Sequence, residues 1–395
     1  MLRRHGAVAA LLCGFMLMLM ILTASRDIPS TPIRAPVVLA GQEHPTLSRK
    51  CFLYSNVTAE NICCRMHPYK QDTDILQCVR RANTKALSSL RKTGSQTFPA
   101  SNVTDGAVDR QSSGDLTADL MAGRVDWTLP TQAGDLPGLP GATHWVLVGD
   151  SHLRYVFDVL MRRSRGVGLQ YRKQDFEEWR PAQLLLEAFR LGTSYEDFKI
   201  RHLAVPFRLT FHWDPLLKRL PALIESWESN RDLAPTLAIL GSGLHWMLET
   251  ESLYKESGSD TAMAVYSDHL HSLKGHLTRL ATTIPTIFKL FDEVPVAYGN
   301  SQIHPQYNIE NFELFNRVSR RGLAGTGVLV WDSSLPLSKA YTRECLATHA
   351  VTYPDYRWKC YDVTHVGYIL VEQYGDMILN FVCNKYMDLP SDFCL

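Results

Sequence analysis

The chain has 395 residues, of which 45% are hydrophobic and 21% charged, with 41 Lys and Arg against 40 Asp and Glu. This is the composition of a folded globular protein, long enough for one large domain or two smaller ones. A net charge of +1 argues against a nucleic-acid binder working through a basic excess, and no Cys-x-x-Cys pair or glycine-rich phosphate loop calls for a metal or a nucleotide.

The N-terminus sets the expected compartment. Arg3, Arg4 and His5 precede an apolar run from Ala7 to Ala24, close to the minimum that spans a bilayer. The two arginines favour a cytosolic tip, giving a single-pass type II membrane protein with its bulk in the Golgi lumen. The alternative is a cleaved signal peptide at Thr23-Ala24-Ser25 and a secreted protein. Residues 1–25 therefore read as cytosolic tip and anchor, and 26–50 as a stem. Residues 51–141 read as a cysteine-rich cap followed by a polar loop. Within them, Asn56 and Asn102 head glycosylation sequons. Asp72-Thr73-Asp74 is the chain's match to a metal-binding glycosyltransferase motif, but it reads as a solvated turn in the cap. Beyond Cys13 in the apolar run, eight cysteines remain: Cys51, Cys63, Cys64, Cys78, Cys345, Cys360, Cys383 and Cys394. An even set in an oxidising compartment reads as disulfides. The later group is expected to pair within itself, for example Cys345 with Cys360, and so to fix the loop carrying Asp362 and His365.

From Thr143 onward, apolar runs alternate with amphipathic stretches. Strands are predicted at 144–148, 207–211, 237–240, 286–290 and 328–331, and helices at 152–161, 216–228, 266–282, 309–322 and 366–380. The strands are short and almost continuously apolar, as when both faces of a sheet are covered. The alternation predicts an α/β domain over 142–395, with a mostly parallel central sheet between helical layers. Ligands of such sheets sit beyond the C-terminal strand ends. Gly149-Asp150-Ser151-His152 lies at such an end, where a helix N-terminus exposes unpaired N–H groups. Gly241 follows the predicted strand 237–240 at the same end, consistent with one site. Near the C-terminus, Asp362-Val363-Thr364-His365 puts an acid and a base three residues apart. A serine, a histidine and an aspartate are the parts of an acyl-transfer triad.

Gly149-Asp150-Ser151-x-x-Arg154 with a late Asp362-x-x-His365 resembles the SGNH/GDS hydrolase superfamily. It is most similar to the PC-esterase branch, which includes the lumenal domain of sialate O-acetyltransferase and the trichome-birefringence-like O-acetyltransferases. The resemblance implies an SGNH-like three-layer sandwich, with Ser151 as nucleophile, His365 as base and Asp362 orienting the base. It further implies a substrate contact at Arg154. The superfamily's usual Gly-x-Asn oxyanion segment reads Gly241-Ser242-Gly243 here, without an asparagine; backbone N–H groups at Gly241 or Gly243, or the His245 side chain, could take its place. Trp213, His245 and Trp246 form aromatic–histidine pairs at strand ends and could stack on sugar rings, although such rings are also frequent in cores. The reaction expected is acyl transfer, most simply of acetyl, to a glycan hydroxyl. Alternatives are ester hydrolysis by the same triad, or glycan binding on a decayed hydrolase fold. No bound cofactor or metal is expected. The acyl donor, acetyl-CoA or another acetyl ester, would come from a partner or a lumenal pool. His269, His271 and His276 read as a solvated helix face, and His152 as a helix-start residue rather than a second base.

Overall fold

The computed structural model describes residues 52–55, 58–61, 65–69, 72–94, 142–164, 168–173, 178–182, 195–203, 205–298, 304–347 and 357–393. The expected anchor and stem, both sequons, and Cys51, Cys63, Cys64 and Cys394 lie outside them. No helix among the described residues is long and apolar enough to cross a membrane.

In chain order, a hairpin of β1 (Phe52–Ser55) and β2 (Thr58–Asn61) precedes the helix α1 (Asp72–Gly94). Asp72-Thr73-Asp74 thus opens a helix rather than forming the expected turn. There follow β3 (Thr143–Gly149), α2 (Ser151–Arg163), β4 (Leu169–Lys173), β5 (Arg180–Pro181), β6 (Phe198–His202) and β7 (Phe207–Trp213). Next come α3 (Leu220–Ser229), β8 (Leu237–Gly241), α4 (Leu244–Glu249), α5 (Glu251–Thr283) and β9 (Thr286–Lys289). The chain closes with α6 (Ile309–Leu323), β10 (Leu329–Trp331), α7 (Leu335–Ala347) and α8 (Tyr368–Cys383).

The five strands predicted from apolar runs are β3, β7, β8, β9 and β10, and they pair in parallel in the order β10-β9-β8-β3-β7. Their residues explain the double burial. Trp145 and Leu147 of β3 enter one core with Leu237 and Ile239 of β8, while Val146 and Val148 enter a second core with Ala238 and Leu240. The first core is closed by Phe157 of α2, Phe315 of α6 and Ile378 of α8. The second is closed by Ile224 of α3 and Leu277 of α5. Each such aliphatic or aromatic side chain contributes about 1.5–3 kcal/mol when fully removed from water.

Three features were not predicted. An antiparallel wing of β6, β4 and β5 extends the sheet beyond β7, making eight strands. Its alternating sequence, Phe198-Lys199-Ile200-Arg201, buries one face only and lacks the apolar continuity of the central strands. Helix α5 begins far ahead of the predicted Tyr266. Its polar first half turns at Gly258, whose φ of 83° is open to glycine and strained for other residues. Helix α1 does not stand apart from the sheet. Ile75 and Val79 join the first core, and Asn83 donates to the Pro206 carbonyl at 3.1 Å while accepting from the Thr143 hydroxyl at 2.7 Å.

Two disulfides are present among the described residues. Cys345–Cys360 pairs within the later group, whereas Cys78–Cys383 ties α1 to α8. The expectation that the later cysteines pair only with one another is therefore corrected. Packing of α1 against α8 brings Cys78 to Cys383 across a separation of 305 residues, which spacing in sequence does not reveal. Replacing Cys345 and Cys360 together by serine should leave the sheet folded and cost about 3 kcal/mol, the chain-entropy value for a loop of this length. Thermal unfolding of the double variant checks this; an unchanged melting temperature would contradict it.

Candidate active site

Gly149 ends β3 and Asp150 turns the chain into α2. The Asp150 carboxylate caps the helix by accepting from the His152 N–H at 3.0 Å. Ser151 is thereby the first helical residue, where backbone N–H groups lack intrahelical partners and the dipole end is positive. The register pairs Gly149 with Gly241 of β8 on one side and with Trp213 of β7 on the other. A Cβ on Gly149 would lie 2.2 Å from the Gly241 carbonyl oxygen, so the two strand ends meet only because Gly149 has no side chain.

The segment 357–367 brings the acid and base to this edge. The Cys345–Cys360 bridge anchors it, and the Val296 N–H donates to the Val363 carbonyl at 2.9 Å. At its end, a Cβ on Gly367 would lie 2.0 Å from the Trp358 carbonyl oxygen, whose other partner is the Tyr341 hydroxyl. Asp362 accepts from the backbone N–H of Thr364 and of His365, each at 3.2 Å, and from the Thr364 hydroxyl at 3.0 Å. This local turn points the carboxylate at the imidazole: His365 Nδ1 lies 3.0 Å from both Asp362 oxygens. His365 Nε2 lies 2.7 Å from Ser151 Oγ. Ser151, His365 and Asp362 thus form one hydrogen-bonded chain, although 214 residues separate Ser151 from His365.

The electrostatics follow from this arrangement. Burial alone would raise the Asp362 carboxyl, but donation from His365 and Thr364 outweighs it and brings it down to about 2. Burial pushes His365 down, and the neighbouring Asp362 only partly restores it. The imidazole is therefore below its ordinary value and neutral at pH 7, with Nδ1–H facing Asp362 and Nε2 open to accept from Ser151.

Gly241 lies at the end of β8 beside Gly149, and Gly243 opens α4 against the Phe291 ring. Both expected oxyanion glycines are thus on the serine's strand edge. Arg154 is 6% exposed, with its guanidinium 5.7 Å from the Trp213 ring. Trp213 also meets His245 edge-on at 5.6 Å and the exposed Tyr195 at 4.9 Å. These four side chains form a wall at the end of β7. Trp246, expected beside them, is instead 3% exposed and packs in the first core against Tyr266 and His269. It follows His245 by one helical position, so the two rings face about 100° apart. His269 accordingly leaves the expected solvated face and is half-buried against Trp246.

Sequence reading missed a second set of polar groups beside the triad. The His152 ring lies 5.2 Å from the His365 ring, and its Nδ1 lies 3.3 Å from Asp292 Oδ2. Asp292 also pairs with Lys289 at 2.7 Å, both nearly inaccessible, and accepts from the Tyr374 hydroxyl at 2.8 Å. The signal was present in Ile287-Phe288-Lys289-Leu290-Phe291-Asp292, where a lysine interrupts an apolar run three residues before an aspartate. Tyr155 was missed as well. Its ring lies 5.1 Å from His365, and its hydroxyl accepts from Lys359 at 3.2 Å.

No protein-family model matches the chain, and no curated protein matches it. Among solved structures, it is similar to a GDSL-like lipase from Parabacteroides merdae at 12% identity and a TM-score of 0.35, covering 61% of this chain and 96% of that one. It is similar to the acetylxylan esterase Axe2 from Geobacillus stearothermophilus at 13% identity and a TM-score of 0.34, covering 63% and 97%. It is also similar to a peptidoglycan O-acetylesterase at 10% identity and a TM-score of 0.35, covering 61% and 91%. At these identities and TM-scores they assign neither residue roles nor a substrate to this chain.

Gly149→Ala should force β3 and β8 apart and cost about 3 kcal/mol or more, since backbone cannot yield as a flexible side chain does. Gly275→Ala, where an added Cβ meets nothing within 4 Å, is the control and should be neutral or stabilising. Urea unfolding of both variants checks the pair.

Proposed function

We propose that this chain is a serine-dependent acyl-ester enzyme of the SGNH hydrolase type, related to the PC-esterase branch. It would transfer an acyl group, most simply acetyl, to a glycan hydroxyl. The observation that carries the reading is the unbroken chain from Ser151 Oγ to His365 Nε2 at 2.7 Å and from His365 Nδ1 to Asp362 at 3.0 Å. These are the distances at which a base takes a proton and a carboxylate orients it.

In this reading Ser151 attacks the acyl carbonyl as its proton passes to His365. Asp362 holds the imidazole in the tautomer that accepts the proton and stabilises the imidazolium formed. The Ser151 N–H, with N–H groups near Gly241 and Gly243, would face the oxyanion. His365 gives its proton to the leaving group, an alcohol from an oxygen ester or a thiol from acetyl-CoA, and the acyl group stays on Ser151. A glycan hydroxyl, deprotonated by His365, then takes the acyl group and regenerates Ser151. Trp213, Tyr195, His245 and Arg154 would form the acceptor wall, because rings with polar neighbours suit a sugar's apolar face and its hydroxyls. Arg3, Arg4 and the apolar run that follows support a type II Golgi anchor with this domain in the lumen, and the donor would then reach the site from the lumen or a partner.

The full-length protein should release 4-nitrophenol from 4-nitrophenyl acetate, and Ser151→Ala should lower that rate at least about 10³-fold. Mass spectrometry with an added oligosaccharide separates transfer from hydrolysis: acetylated oligosaccharide supports transfer, whereas acetate alone, unaffected by acceptor, leaves the esterase. Undiminished turnover by Ser151→Ala would end the reading.

The pH dependence has a definite sign. His365 works as a base only when neutral, and burial holds it below the ordinary imidazole value. Activity should therefore rise as pH increases through a midpoint below about 6.5. A pH profile of kcat/KM with its acid limb above that value would contradict the geometry.

A further inference from the structure

Immediately after Ser151, the His152 side chain is buried against the proposed base rather than exposed as a helix-start residue. Its ring packs at 5.2 Å from His365 with a 35° inclination, and at 5.4 Å from the edge-on Phe291. Nδ1 faces Asp292, whereas Nε2 is buried with no hydrogen-bond partner. A buried imidazole nitrogen without a partner costs free energy that a surface histidine avoids. Asp292 does not need His152 for its own balance, because Lys289 supplies a full positive charge at 2.7 Å and Tyr374 a further donor. The Asp292 carboxylate orients the second imidazole through Nδ1.

We propose that His152 is a positioning residue for His365, held against it by Asp292, Lys289 and Tyr374, and that its ring against the base sets where the acid limb of the reaction falls. This inference rests on the triad reading given above. The His152 imidazole packed against His365 adds to burial in opposing protonation of the base. The base then remains available at pH values where an isolated buried Asp–His pair would already have taken up a proton.

Other charged and titratable groups face the pair. From its own segment His365 meets Asp362, with Lys359 3.9 Å from Asp362 Oδ2. From α2 it meets Ser151 and Tyr155, with the Asp150 carboxylate favouring its proton. From α4, His245 faces both rings and is itself pushed down, chiefly by burial. From the β9 end and α8, Asp292, Lys289 and Tyr374 face His152. His152 is the group among these that touches the base's ring and has a protonation site without a partner.

The test replaces His152 by Phe, which keeps a ring against Phe291, and separately by Gln, which keeps a donor for Asp292. In full-length protein with isotope-labelled histidine, the NMR titration of His365 should move up by about one pH unit in both variants. The acid limb of kcat/KM for 4-nitrophenyl acetate should move with it, so that the rate at low pH, relative to the alkaline plateau, falls about tenfold. A His365 titration unchanged in either folded variant would overturn the proposal, as would a rate lowered equally at every pH. Repeating the titration in the Ser151→Ala background separates the two readings. There the shift from His152→Phe should persist without turnover, so failure of the acyl-transfer reading and failure of this one give different results.

Discussion

The placement of β3 between β7 and β8 is the constraint on which the rest depends. Parallel pairing in this register ends three strands at one level, Trp213, Gly149 and Gly241. The meeting of Gly149 and Gly241 lets α2 start at that level with Ser151 as its first residue. A slip of one residue would exchange Trp145 and Leu147 with Val146 and Val148 between the two cores, so double burial enforces the register. The strand edge is therefore set by packing, and the candidate site is built on an edge that cannot shift.

Two imidazole–carboxylate pairs meet at that edge, and they are balanced differently. The Asp362–His365 pair is partly accessible, and Asp362 is held by a local turn of backbone and hydroxyl donors. The His152–Asp292 pair is buried, and Lys289 offsets its carboxylate. In the first pair, burial and the carboxylate pull the imidazole in opposite directions, and burial prevails. A base below its ordinary value that is still oriented by a carboxylate is suited to accept a proton near neutral pH.

The segment carrying Asp362 and His365 has no helix or strand of its own between residues 357 and 367. Its shape is imposed by the Cys345–Cys360 bridge, the Val296–Val363 backbone bond and the crossing of Gly367 over Trp358. Beyond it, α8 returns across α2, where Arg163 binds Glu372 at 2.8 Å and also reaches Asp376. The helix that opens with Ser151 and the helix that follows His365 are thus joined to each other as well as to the sheet.

The sequence by itself determined the five parallel strands, because apolar runs such as Trp145-Val146-Leu147-Val148 can be satisfied only by a sheet covered on both faces. It also singled out Ser151, Asp362 and His365 as candidates, since a strand-end serine and a spaced acid and base are local patterns, and the fold brings the three side chains together. What it could not contain is pairing between segments whose local pattern is unremarkable. The wing of β4, β5 and β6 carries one-faced alternation, and Cys78 finds Cys383 only once α1 lies against α8. Trp246 and His245 are neighbours in sequence, yet helical rotation sends one into the core and leaves the other beside Trp213. His152 and Asp292 meet across 140 residues because β3 and β9 flank β8 in one sheet. Burial is a property of the assembled layers, and for that reason only the tertiary structure decided which polar side chains border the triad.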